Sequence, residues 1–212
     1  MARVLIIGAS RGIGLETVRC ALTEGHRVRA FARGAASIGI DHPGLEKSAG
    51  DALDRAAVAQ ALEDMDAVIQ GLGVPAGAAL RGTTLFSAAT RILIDAMRAR
   101  SVRRLLAVTG LGAGDSRGRL GPLFDWLAFP LVLKRIYDDK DVQEQMIRAS
   151  GLDWTIVRPG LLQSGPATGR VRALTDPRDW RTGFVRRADV AQFLVHEAFE
   201  RRFVGKTPLL IE

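Results

Sequence analysis

One cysteine, one tyrosine and three histidines are all that a chain of 212 residues offers of those types. With Cys20 alone, an intrachain disulfide and a cysteine-based metal cluster are both excluded. His26, His42 and His196 show no ligand spacing, and no metal site is expected. No apolar run is long enough to cross a bilayer, which takes about 20 residues. The greasiest stretch, Leu123 to Leu133, contains Asp125 and Pro130. The run Val4–Ile7 is too short for a signal-peptide core. A cytoplasmic location and no membrane partner are the expectation. The net charge of +7 favours anionic ligands. Yet the arginines are dispersed, with pairs only at 103–104, 186–187 and 201–202, and no basic tail forms. No nucleic-acid partner is expected. No internal repeat or low-complexity linker divides the chain, so residues 1–212 are taken as one domain.

What is present is alternation. Short apolar runs at Val4–Ile7, Arg27–Ala32, Leu45–Ala49, Asp66–Gln70, Arg104–Thr109, Trp154–Val157 and Pro208–Ile211 predict strands. Amphipathic stretches between them predict helices: Gly14–Glu24, one capped by Asp54 and reaching Glu63, one from Thr83 or Thr84 to Arg100, Asp138–Ser150 and Ala188–Phe199. Strands alternating with helices imply an α/β, doubly wound parallel sheet of the Rossmann type, with a small C-terminal substrate-side portion.

The sharpest motif is Gly8-Ala9-Ser10-Arg11-Gly12-Ile13-Gly14, between the first strand and the first helix. Small residues there permit a tight turn, close backbone approach to a pyrophosphate, and close helix–sheet packing. The helix N-terminus offers free N–H groups to phosphate. The spacing is G-x-x-x-G-x-G, a variant of the general dinucleotide fingerprint. An NAD-binder would carry an acidic residue at the end of the second strand. This chain has Arg33 there, with Arg11 in the loop, and a guanidinium suits the 2′-phosphate of NADP. NADPH is therefore the expected cofactor, with NAD as the alternative.

Six blocks carry a family resemblance: GASRGIG at 8–14, GDALD at 50–54, VTGLGAG at 108–114, SGLDWTIVRPGLL at 150–162, GPATG at 165–169 and RRADVAQFL at 186–194. The chain resembles the atypical short-chain dehydrogenase/reductase family, in particular proteins similar to biliverdin-IXβ/flavin reductase and nitrogen-metabolite-repressor-like proteins. The resemblance implies that Asp51 and Ala52 flank the adenine. It implies that Gly71, Leu72 and Gly73 pass beneath the ribose. Thr109 and Gly110 then sit near the nicotinamide, and Pro159, Gly160 and Leu161 line its face. Asp189 is expected to cap the last helix.

Larger members of the superfamily use Tyr-x-x-x-Lys beside a serine. Here the single tyrosine is Tyr137, Lys140 follows three residues later, and Thr109 replaces the serine. One residue of slip turns a helical side chain by about 100°. Tyr137 and Lys140 are candidates for a working acid pair, or else a helix-start residue and a surface lysine paired with Glu144 at i,i+4. Asp95 is a further candidate acid. The stretch Leu123–Leu133 could roof an apolar pocket, form a core helix or serve as an oligomer contact. The expected activity is NADPH-dependent reduction of a small, flat, conjugated acceptor (flavin, quinone or tetrapyrrole-like). Alternatives are a non-catalytic NADP(H) sensor and an epimerase or dehydratase. A monomer or a homodimer fits equally.

Overall fold

The computed structural model describes residues 1–74, 84–116 and 134–212. The stretch Leu123–Leu133 and residue Thr83 lie outside them. The strands are β1 (Arg3–Ile7), β2 (Arg27–Ala32), β3 (Leu45–Ala49), β4 (Ala67–Gln70), β5 (Arg104–Val108), β6 (Asp153–Pro159), β7 (Leu161–Gln163), β8 (Arg172–Leu174), β9 (Phe184–Arg186) and β10 (Leu209–Ile211). The helices are α1 (Gly12–Thr23), α2 (Arg55–Ala61), α3 (Leu85–Ala99), α4 (Lys134–Arg148) and α5 (Arg187–Glu200).

The main sheet has the order β3-β2-β1-β4-β5-β6-β10-β8, parallel except where β8 runs antiparallel to β10. The reversal of strand order at β1 and β4 is the switch point at which doubly wound sheets bind ligands. Both faces are covered, so the strands are apolar on both sides. Val4, Ile6, Ala30, Ile69 and Leu106 face α1 and α5. Leu5, Ile7, Val68, Leu105 and Ile156 face α2, α3 and α4. Burying each such side chain is worth roughly 1.5–3 kcal/mol. This is a Rossmann-type fold.

Local chemistry explains several boundaries. The Asp54 carboxylate accepts from Ala56 and Ala57 N–H at 2.9 and 3.2 Å, the expected N-cap of α2. Thr84 does not cap α3 with its side chain. Instead Asp139, from α4, accepts from Phe86 N–H at 2.8 Å and from Ser87 N–H at 3.3 Å. Asp189 also departs from expectation. Its carboxylate accepts from the N–H groups of Thr168 and Gly169, both at 2.9 Å, and ties the preceding loop to α5, whose N-cap position is Arg186. Three short strands, β7, β8 and β9, were not foreseen; at three residues each they are too short for a periodicity to show. The pair β7–β9 forms a separate parallel ribbon beyond the end of β6.

Candidate active site

The glycine turn closes on itself. Gly8 has φ +85°, and its N–H donates to the Phe31 carbonyl at 2.9 Å. A Cβ on Gly14 would lie 2.2 Å from the Gly8 carbonyl oxygen, and one on Gly8 would lie 2.7 Å from that of Gly71. Three backbones therefore meet, and at Gly8 and Gly14 only glycine fits. Gly12 is different. Its φ is +58° and nothing lies within 4 Å of a Cβ built there, so it opens onto space. Arg11, the N-cap residue of α1, makes no side-chain capping bond to the orphan amides of the first turn.

Next to this turn lies a cavity of about 350 Å³ lined by Gly8, Ser10, Arg11, Phe31, Ala32, Arg33, Gly50, Asp51, Ala52, Leu72, Gly73 and Leu85, among others. It brings together eight of the eighteen expected cofactor residues: Gly8, Ser10, Arg11, Arg33, Asp51, Ala52, Leu72 and Gly73. Ala9 is buried behind it, and Ile13 packs into the core at the side. Asp51 shapes its own loop by accepting from Leu53 N–H at 3.0 Å. Arg33 is exposed at the rim, with no carboxylate at the end of β2. The uncapped helix start, the open glycine and two guanidinium groups fit a dinucleotide diphosphate, with room for a further phosphate on the adenosine side.

The second cluster lies at the ends of β5 and β6. Thr109 N–H donates to the Val157 carbonyl at 2.9 Å, and Leu111 N–H donates to that of Pro159 at 3.1 Å. These bonds place Gly110 beside Pro159. Gly160 donates to Leu210 at 2.9 Å and Leu161 to Gly183 at 2.8 Å, which seats the ribbon strand β7 next to them. From α4, the Tyr137 hydroxyl lies 3.2 Å from a Cβ built on Gly110, and Lys140 Nζ lies 3.9 Å from it. The i,i+3 pair thus converges on one backbone point. Helix α4 begins at Lys134, a turn earlier than expected, so Tyr137 is inside the helix and not at its start. Lys140 Nζ donates to the Thr109 carbonyl and sits 5.0 Å from the Phe86 ring centroid and 5.7 Å from that of Tyr137. Leu72, Phe86 and Tyr137 pack together and join this cluster to the cavity.

Burial pushes the Tyr137 phenol up to about 12. Burial brings the Lys140 ammonium down to about 8, against the support of the Glu144 and Asp139 carboxylates. The expected exposed Lys140–Glu144 pair is not there. Glu144 is 2% exposed and accepts from Arg158 Nε at 3.0 Å and from the Thr109 hydroxyl at 2.8 Å. The sequence offered Glu144 only as a surface partner of Lys140 and gave Arg158 no role; the one available signal was an arginine directly after the apolar run Trp154–Val157. Asp95 is excluded from the cluster. It pairs with Arg55 at 3.3 Å on the exposed side of α3, ten residues and about 15 Å along the helix from Leu85.

A family model described as NAD(P)H-binding matches residues 8–201. The chain belongs to this NAD(P)H-binding family. Its whole length resembles ChuY, an anaerobilin reductase from Escherichia coli O157:H7, with 30% identity, a TM-score of 0.80, and 99% of this chain and 97% of that one covered. A short-chain dehydrogenase/reductase from Veillonella parvula DSM 2008, solved in complex with NADP, shares the fold at 18% identity and a TM-score of 0.82, covering 100% of this chain and 94% of that one. An uncharacterized sugar epimerase from Bacillus subtilis is 32% identical over 108 residues, 51% of this chain and 44% of its own. The chain spans about half the length of the curated relatives it matches, 44% and 55% of two of them. The chain is thus an NAD(P)H-binding protein that shares its fold with the short-chain dehydrogenase/reductase neighbour. Among the described residues no helix is long and apolar enough to cross a membrane, and no group of three or more His, Cys, Asp or Glu side chains could hold a metal.

Proposed function

We propose that the protein is a cytoplasmic NADPH-dependent reductase of a flat conjugated acceptor such as a flavin, a quinone or a tetrapyrrole-like molecule. The observation that carries this reading is the convergence of Tyr137 and Lys140 on Gly110, beside the glycine-lined cavity. Gly8, Ser10, Arg11, Gly12 and Gly14 hold the diphosphate, and Arg33 selects the 2′-phosphate. Asp51 and Ala52 border the adenine, and Gly71–Gly73 run under the ribose. Thr109, Gly110 and Pro159–Leu161 frame the reacting end. Bound NADPH supplies a hydride there. Tyr137 remains a protonated phenol at neutral pH and donates the proton that balances the hydride. Lys140, near its own midpoint, returns a proton to the phenolate. A conjugated acceptor asks of the protein that it hold two rings in contact and supply one proton. The likeness to an anaerobilin reductase along the whole chain supports this acceptor class.

The test is NADPH oxidation with FMN, a quinone and a linear tetrapyrrole, for the wild type and for Tyr137→Phe. Turnover well above the protein-free rate is expected with at least one acceptor. Tyr137→Phe should lower kcat by roughly 10²–10⁴-fold while leaving NADPH affinity unchanged. Activity should be present below pH 8 and fall as pH rises through about 8, where Lys140 loses its proton. Saturable NADPH binding with no turnover on any acceptor overturns the reading and leaves a sensor.

A further inference from the structure

A buried ion pair is weak evidence of stability, because desolvation costs about as much as the attraction returns. The Arg158–Glu144 pair therefore needs another reason to be where it is. Arg158 is 0% exposed and Glu144 2% exposed. Arg158 Nη2 lies 2.5 Å from Glu144 Oε2 and 2.7 Å from Asp115 Oδ1. Its guanidinium carbon is 5.1 Å from the Trp180 ring centroid.

The pair supports the Tyr137–Lys140 cluster and the turn beside it in three ways. Glu144 Oε1 accepts the Thr109 hydroxyl at 2.8 Å, and the carbonyl of the same Thr109 accepts from Lys140 Nζ. The turn at Gly114–Ser116 rests on the pair: a Cβ on Gly114 would come 2.6 Å from Arg158 Nη2 and 2.7 Å from Glu144 Oε2. Asp141 fastens that turn by accepting from Gly114 N–H at 2.6 Å. Third, Glu144 is one of two carboxylates that support the Lys140 charge. The other, Asp139, is engaged with the N-terminal amides of α3.

We propose that Glu144, anchored by Arg158, is the positioning residue of the site: it holds the Thr109–Gly110 turn and the Lys140 ammonium in place beside the Tyr137 phenol. The proposal rests on the reading of Tyr137 and Lys140 as the proton-supplying pair. The charges around Lys140 come from every element packed on it. Asp139, Glu144 and the Tyr137 phenol lie on its own helix, and Arg148 lies 3.7 Å from Glu144 on the next turn. Arg158 on β6 and Asp115 on the turn act through Glu144. Helix α3 presents the Phe86 ring, and β5 ends in the Thr109 carbonyl.

The chain has four lysines (47, 134, 140 and 206), so Lys140 can be titrated individually by carbon NMR of the ε-position. In Glu144→Gln the Lys140 midpoint should fall by about one pH unit. The alkaline limb of kcat/KM should move with it, and NADPH affinity should stay within about two-fold. Thr109→Val keeps the charge pair and removes only the hydroxyl; it should lower kcat by roughly five- to ten-fold without moving the Lys140 midpoint. An unmoved midpoint in folded Glu144→Gln overturns the proposal. Should Glu144→Gln fail to fold, Thr109→Val decides: wild-type kcat overturns the proposal, and reduced kcat at unchanged NADPH affinity supports it. If the wild type turns over no acceptor, the functional reading fails while the NMR titration still decides the positioning.

Discussion

Two buried arginine–carboxylate pairs lie at opposite ends of neighbouring strands, and they are built differently. Arg104 opens β5, at the N-terminal end of the parallel sheet. It meets Glu197 Oε1 at 2.7 Å and donates also to the Glu197 and Ala198 carbonyls, the Asp153 carbonyl and the Thr155 hydroxyl. Glu197 in turn accepts from Arg202 N–H at 2.9 Å and Phe203 N–H at 3.0 Å. This network closes the loop after α5 and leaves nothing over. Arg158 lies at the C-terminal end of β6. Its Nη1 is buried and has no hydrogen-bond partner among the described residues, while Glu144 turns to Thr109. Burial presses the Arg104 guanidinium below its usual value. At Arg158 burial acts in the same sense, but Glu144 and Asp115 outweigh it and raise it. The same chemistry holds a loop at one end of the sheet and a candidate active site at the other. In parallel α/β sheets, ligands bind beyond the carboxyl ends of strands.

Breaking each pair is the strongest way to test that difference. Glu197→Ala and Glu144→Ala should each cost about 3–5 kcal/mol in denaturant unfolding, since each takes from a buried guanidinium its buried carboxylate, and Glu144→Ala leaves Arg158 only the exposed Asp115. Only the second should alter kcat and its pH profile in protein that remains folded. A shifted profile in Glu197→Ala would erase the distinction. Next in size is Gly14→Ala, whose new Cβ would press on the Gly8 carbonyl and move α1. Overpacking of this kind should weaken NADPH binding by about 10- to 100-fold in a fluorescence titration. Comparable in size, but specific to one cofactor, is Arg33→Asp. NADPH affinity should drop by roughly ten-fold or more, with NADH changed far less. Equal losses for both would remove the 2′-phosphate assignment. The smallest effect belongs to Asp54→Ala, at the same end of the sheet yet serving only as a helix cap. About 1 kcal/mol of stability should go, with NADPH affinity intact.

Signals carried by near neighbours were legible. β2 and β3 have the predicted bounds, Asp54 caps α2, and the glycine turn lies between β1 and α1 as its spacing requires. Where partners are distant, the sequence misled. Lys140 and Glu144 look like an exposed helical pair because i,i+4 is what a helix alone offers. Packing α4 against β6 turns Glu144 inward to Arg158, and the intervening sequence does not announce this. Asp139 serves a helix 53 residues away, and Asp189 serves a loop 20 and 21 residues away, where helix rules assign each to its own element.

The sequence by itself determined the layering of strands and helices, the glycine turn between β1 and α1, and the cationic edge of the cavity. Those depend on backbone sterics and hydrophobic periodicity, which act over a few residues. Tertiary structure alone decided that Tyr137 and Lys140 meet at Gly110, that Asp95 stands apart, and that a buried arginine stands behind the carboxylate at Thr109. Such convergence depends on where a helix docks on a sheet. That is set by the whole packed interface and by the cost of burying a charge without a partner.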